Sequence, residues 1–174
     1  MKLIQKKINL LSSILICVAL VLSCNDNHLE TKQFFYPNGA IKESVQLLGK
    51  KRSGLIIHYY ENGNVKSLEK YVNDTINGEV FSFYSSGFLE KKSITRMGIP
   101  NGASNAFFPN GRLKEYRYWV NGKKQGFGED YWESNGNIKA IYWARNDSLK
   151  YERMIDSLGY VLKTMGNVPV GENK

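Results

Sequence analysis

The residues of this chain that could do chemistry are few and far apart. Its two histidines, His28 and His58, and its two cysteines, Cys17 and Cys24, do not have the spacing of a zinc site. Carboxylates are scattered. The nearest thing to an acid/base couple is Glu129-Asp130, and adjacent residues on a strand point to opposite faces. No nucleophile elbow, phosphate loop or dinucleotide fingerprint occurs, and the glycines are spaced for turns. This pattern points away from an enzyme and implies neither cofactor nor metal. The basic clusters Lys50-Lys51-Arg52, Lys91-Lys92 and Lys123-Lys124 fall at or near strand ends, where charge faces water, so no nucleic-acid partner is expected.

The aromatic residues are the remaining candidates. They recur in pairs, Phe35/Tyr36, Tyr59/Tyr60, Phe83/Tyr84, Phe107/Phe108 and Tyr131/Trp132, each followed by a turn glycine: Gly39, Gly63, Gly87, Gly111 and Gly136. Those glycines are 24, 24, 24 and 25 residues apart, the last step carrying a one-residue insertion in the turn. A second series, Gly54, Gly78, Gly102 and Gly126, keeps the 24-residue step throughout. Two markers in one phase identify an array. Two residues after each turn glycine stands an aliphatic: Ile41, Val65, Leu89, Leu113 or Ile138.

Aromatic and β-branched residues suit a pleated surface, and Asn-Gly accepts positive φ at low cost, so each copy reads as a β-hairpin. Glycine-bearing polar loops such as Asn73 to Gly78 and Asn121 to Gly126 join successive hairpins. Connections this short exclude parallel crossovers. The expected fold is all-β: an elongated, twisted, single antiparallel β-meander of about five to six 24-residue hairpin repeats. A lone hairpin cannot bury its aromatics, whereas stacked copies set equivalent residues in ladders. The columns therefore read first as structure, with a stacking platform for sugar or nucleic acid as the alternative. Where a face does bind a partner, Tyr59, Tyr84, Phe108 and Trp132 are the candidate contacts. Alternation along Val65 to Val72 is imperfect and leaves the two faces unassigned.

With both glycine series and the aromatic pairs in hand, the chain resembles the MORN-repeat variant proteins, the repeat type of YwqK-type antitoxins. The resemblance covers about residues 33 to 165 and is carried best by Phe35 to Lys42, Tyr59 to Lys66, and Phe107 to Lys114 with Asn121 to Gly126. The third copy departs, with Ser86-Gly87-Phe88-Leu89-Glu90 lacking Asn and Lys and with Met97-Gly98-Ile99-Pro100 in place of the usual loop, which predicts a locally irregular unit. The resemblance implies action by contact with another molecule. In the antitoxin version that molecule is a toxin.

Residues 1–23 read as a secretory signal, with Lys2, Lys6 and Lys7 ahead of an apolar run too short to span a membrane comfortably. Val21-Leu22-Ser23-Cys24 resembles the bacterial lipobox, in which the signal is cut before a cysteine whose thiol carries diacylglycerol. Cys17 would leave with the signal and Cys24 would be lipidated, so no disulfide is expected within one chain. Two or more acyl chains anchor stably, at ~0.8 kcal/mol per methylene, which places the domain on a bacterial envelope membrane. Removal of the signal lowers the formal charge from +8 to +5. Cys24 and a tether occupy 24–32, repeats 33–165 with 149–165 a degenerate last hairpin, and 166–174 a loose tail. Taken together, the sequence points to a non-enzymatic, lipid-anchored interaction module with an unidentified protein partner. An antitoxin and a carbohydrate-binding module are the alternatives.

Overall fold

The computed structural model describes residues 28–167, and every strand in it follows from the hairpin grammar of the sequence. Strands β1 (Leu29–Phe35) and β2 (Ile41–Leu48) form the first hairpin, β3 (Lys51–Tyr59) and β4 (Val65–Val72) the second, and β5 (Thr75–Phe83) and β6 (Leu89–Arg96) the third. The fourth is β7 (Ile99–Phe107) with β8 (Leu113–Val120). In the fifth, the first strand breaks at Gln125 into β9 (Lys123–Lys124) and β10 (Gly126–Tyr131), followed by β11 (Ile138–Arg145). The sixth is β12 (Ser148–Ile155) and β13 (Val161–Gly166). All pair antiparallel in chain order in one open sheet, β9 and β10 both pairing β8. No helix occurs among the described residues.

The two ends of each strand are shaped differently. At the aromatic end, the amide of Gly63 donates to the Tyr60 carbonyl at 3.0 Å and that of Tyr60 to Asn64 at 2.8 Å, a pattern shared by the turns at Gly39, Gly87 and Gly111. The inserted residue of the fifth turn stays inside it, where Gly136 donates to Trp132 one residue further back and the hairpin closes on Asn137. At the other end lie two-residue turns with positive φ, Asn73-Asp74, Met97-Gly98, Asn121-Gly122 and Asn146-Asp147. Their twist matches that of the flanking strands.

Three expectations are corrected here. The second glycine series does not sit in loops: Gly54, Gly78 and Gly102 lie within β3, β5 and β7, at a register break and at φ of 100, 135 and 120°. Gln46 and Ile94 of the preceding strand crowd the place where a Cβ would stand at Gly54 and Gly102, and at Gly78, where Lys70 makes only ordinary contact, the positive φ favours glycine. The third unit is regular, because Met97 adopts the φ that Asn adopts elsewhere. The last hairpin forms where it was expected, over 148–166, with Asp156 in the place of the aromatic residue. Finally, β1 begins at Leu29, inside the segment read as tether, because β2 offers that segment a full ladder from Leu29–Leu48 inward. The signal, Cys24 and 168–174 lie outside the described residues.

Register settles the faces. Glu43, Val45, Ile56, His58, Ser67 and Glu69 share one face, which continues through serines at 82, 93 and 104 to Arg117. Ile57, Leu68 and Phe81 share the other with Leu55, Ile94 and Tyr118. Full burial is confined to a few side chains, chiefly Val45, Ile56, Trp143 and Tyr151, as a single layer dictates.

Candidate interaction surface

The aromatic pairs divide into two columns with different duties. The second member of each pair reaches across to the next repeat. The Tyr36 hydroxyl donates to the Tyr59 carbonyl at 2.7 Å, Tyr60 to Phe83 at 2.8 Å and Tyr84 to Phe107 at 2.8 Å, while Trp132 Nε1 donates to Ile155 at 3.1 Å. Each of these rungs joins residues 23 apart and contributes about 1 kcal/mol net. The first member of each pair ends a strand, and Tyr59, Phe83 and Phe107 offer the accepting carbonyls.

Above the column lies a row of cations. Register shifts next to the aromatic turns leave Lys42, Lys66, Lys114 and Lys139 as the extra residue of a bulge. Their ammonium groups lie 5.8, 5.7, 5.8 and 4.7 Å from the ring centres of Tyr36, Tyr60, Phe108 and Trp132. The bulge aims the lysine back over its own turn, a contact of ~0.5–1 kcal/mol at an exposed site. In the third unit the bulged residue is Glu90. There the Tyr84 hydroxyl is held above its ordinary pKa, first by burial and then by the charges of Glu90 and Glu133.

The four residues singled out from sequence therefore lie along one edge of the sheet. Tyr84 and Trp132 spend their polar atoms on the neighbouring repeat, Phe108 holds the same position without a donor, and Tyr59 supplies a carbonyl. All four are half-buried. They are joints of the stack. Apolar side chains open to solvent occur in several places, and four of them, Leu55, Ile94, Tyr118 and Phe127, 38–44 % exposed, lie at one level of the apolar face. A groove of about 400 Å³ opens there, lined by Leu55, Leu68 and Phe81 with Lys70 and Glu79 at its polar margin. Sequence reading missed this surface because the bulges interrupt the alternation that would have sorted the faces.

The polar face carries the charge. His58 lies between Glu43, 3.8 Å from Nδ1, and Glu69, 4.0 Å from Nε2. Both Glu69 oxygens accept hydroxyls, from Ser67 and Tyr71, at 3.1 Å. Burial, then the charge of Glu69 and its hydrogen bond, raise the Tyr71 pKa against the opposing pull of Arg52. Further along, Arg117 is 8 % exposed, and its guanidinium donates to the Tyr116 and Glu129 carbonyls and to Asp130, with Glu115 3.2 Å away. The same guanidinium stacks 4.3 Å from the Tyr142 ring, which lies across Gly128, so this buried charge is paired on every side. Among the described residues no cluster of His, Cys, Asp and Glu could hold a metal ion.

The family model described as MORN repeat variant matches residues 52–73. Those residues are a MORN repeat variant. The match runs from Arg52 in β3, through the Tyr60 turn and β4, into the tight turn at Asn73, so this MORN unit contains one rung donor, one bulged lysine and one bulge glycine. The remaining units repeat its hairpin geometry, with Glu90 in place of the bulged lysine in the third and Asp156 in place of the rung donor in the sixth. MORN repeats are generally modules for contact with proteins or membranes and are typically not enzymes. No curated protein matches the chain.

Proposed function

We propose that this protein is a non-enzymatic, lipid-anchored module of the bacterial envelope that binds a protein partner through the apolar face of its MORN array. One observation carries the reading: a row of exposed apolar side chains, Leu55, Ile94, Tyr118 and Phe127, follows the stack beside a groove on a sheet face with no second layer over it among the described residues. Side chains of this kind act as anchors, and the nearby Lys70 and Glu79 supply a charged margin. The lipobox-like run ending at Cys24 supports the anchor, and the likeness to YwqK-type antitoxins makes a toxin one class of partner.

The test is cross-linking in the native host followed by mass spectrometry. Wild type is compared with a Leu55→Glu/Tyr118→Glu variant whose circular dichroism is unchanged. A protein captured by wild type and lost by the variant supports the reading. Equal capture by both, or no specific capture across growth conditions, counts against it. Anchoring is tested by labelling with an alkyne fatty acid, which Cys24→Ala should abolish.

A further inference from the structure

The two outer strands of the sheet differ in what they offer. At every interior junction from Tyr36 to Tyr84, and again at Trp132, a side chain donates to a carbonyl of the next repeat. At the C-terminal end the equivalent position is Asp156, which lies 24 residues beyond Trp132. Its Oδ1 turns back and accepts the amides of Leu158 and Tyr160, each at 2.9 Å. At the N-terminal end Phe35 holds the position of the accepting residues Tyr59, Phe83 and Phe107, and no turn precedes it among the described residues. β1 is the outer strand there, with Leu29, Phe34 and Phe35 46, 50 and 56 % exposed.

Eleven antiparallel steps separate β1 from β13, so the two run in opposite directions. A second copy laid end to end would thus continue the meander, β13 against β1, both carrying exposed apolar side chains. Carrying the β2–β3 register forward puts Met165 opposite Lys32 and sets Asp156 in the position from which Tyr36 reaches the Tyr59 carbonyl, with Phe35 now the acceptor. Asp156 is shorter than Tyr or Trp, and a carboxylate has no donor to give a carbonyl. The rung that donors close at four of the five interior junctions, Phe108 being the exception, has no donor at this point.

We infer that β1 is the docking edge of the molecule: it takes an antiparallel strand of a protein partner that carries Tyr or Trp beside its turn to donate to the Phe35 carbonyl, and Asp156, with no such donor, keeps a second copy's β13 from being that strand. Strand addition of this kind draws its affinity from main-chain hydrogen bonds and its selectivity from side chains at fixed positions. The inference rests on the interaction-module reading and assigns it an edge.

The chain itself supplies a surrogate partner. Mature full-length protein with Asp156→Tyr or Asp156→Trp, either of which restores a donor of the length used at the interior junctions, is examined by sedimentation velocity alone and mixed with wild type. Wild type should remain monomeric. Both variants should self-associate and bind wild type about tenfold more tightly than Asp156→Phe, which removes the charge without adding a donor. Cysteines placed at Lys32 and Met165 should cross-link 32 to 165 between copies. Folded Tyr and Trp variants that stay monomeric, a wild type that polymerises, or cross-links joining like positions would each overturn the inference. Monomeric variants alongside a partner still captured through Leu55 and Tyr118 would remove the edge and leave the module reading standing.

Discussion

Tyr84 and Phe108 occupy the same position one repeat apart, and only the first has a hydroxyl to send to the next repeat. Tyr84→Phe should therefore cost about 1 kcal/mol, while Phe108→Tyr, whose hydroxyl would meet the Tyr131 carbonyl, should gain a similar amount. Chemical denaturation of both variants checks this, and equal effects of one sign would remove the rung as a stabilising element. Tyr131 gives the pH test. Burial, followed by the hydrogen bond and charge of Glu129, pushes its hydroxyl up to about 12. A raised pKa means that the fold prefers the protonated phenol, so its contribution is intact below the ordinary value of 10.0 and is lost as pH climbs from there toward 12. Phenolate absorbance should show tyrosines titrating above the ordinary value, the latest of them lost in Tyr131→Phe. Complete ionisation near pH 10 in still-folded protein would contradict it.

At the scale of the element, the hairpin was legible in the sequence because its turn chemistry is local: Asn-Gly, a preceding aromatic pair and a following aliphatic need no knowledge of neighbours. The bulges were not legible, because an extra residue such as Lys66 is defined only against its partner strand. That is why the two faces could not be sorted from residues 65–72, and why the aromatic columns were read as candidate contacts. Their role depends on carbonyls 23 residues away. The third unit was misjudged for a related reason. Met97 is a poor residue for φ of 50°, yet the pairing on both sides holds it there. Asn73, Asn121 and Asn146 occupy this position in other units. Met97 is 66 % exposed, so Met97→Asn forfeits little burial. It should stabilise by up to ~1 kcal/mol, since the left-handed region costs non-glycine residues about 1–2 kcal/mol and Asn less than most. The melting temperature should rise by about 2–4 °C. An unchanged or lower value would show that the Met97 side chain makes compensating contacts.

Across the described residues the molecule is a sum of similar junctions, with each strand bonded only to its neighbours and no core shared by distant repeats. Stability in such an array is a sum of unit and interface terms, so the period should be removable. Excising residues 73–96 joins Val72 directly to the Met97-Gly98 turn and lays β7 against β4. The Tyr60 hydroxyl then meets the Phe107 carbonyl in place of Phe83, and the one unit whose bulge carries Glu90 instead of a cation over the ring leaves with the excised piece. Excising 73–84 removes a single strand and sends the next aromatic turn to the opposite edge, where no carbonyl of the column awaits it. The first deletion should unfold cooperatively in urea, with an m-value reduced in proportion to the surface lost. The second should lose both the cooperative transition and solubility, because it leaves apolar side chains and open strand edges without partners. Equal tolerance of the two deletions would mean that the edge-to-edge rungs, for all their regularity, do not decide how the repeats stack.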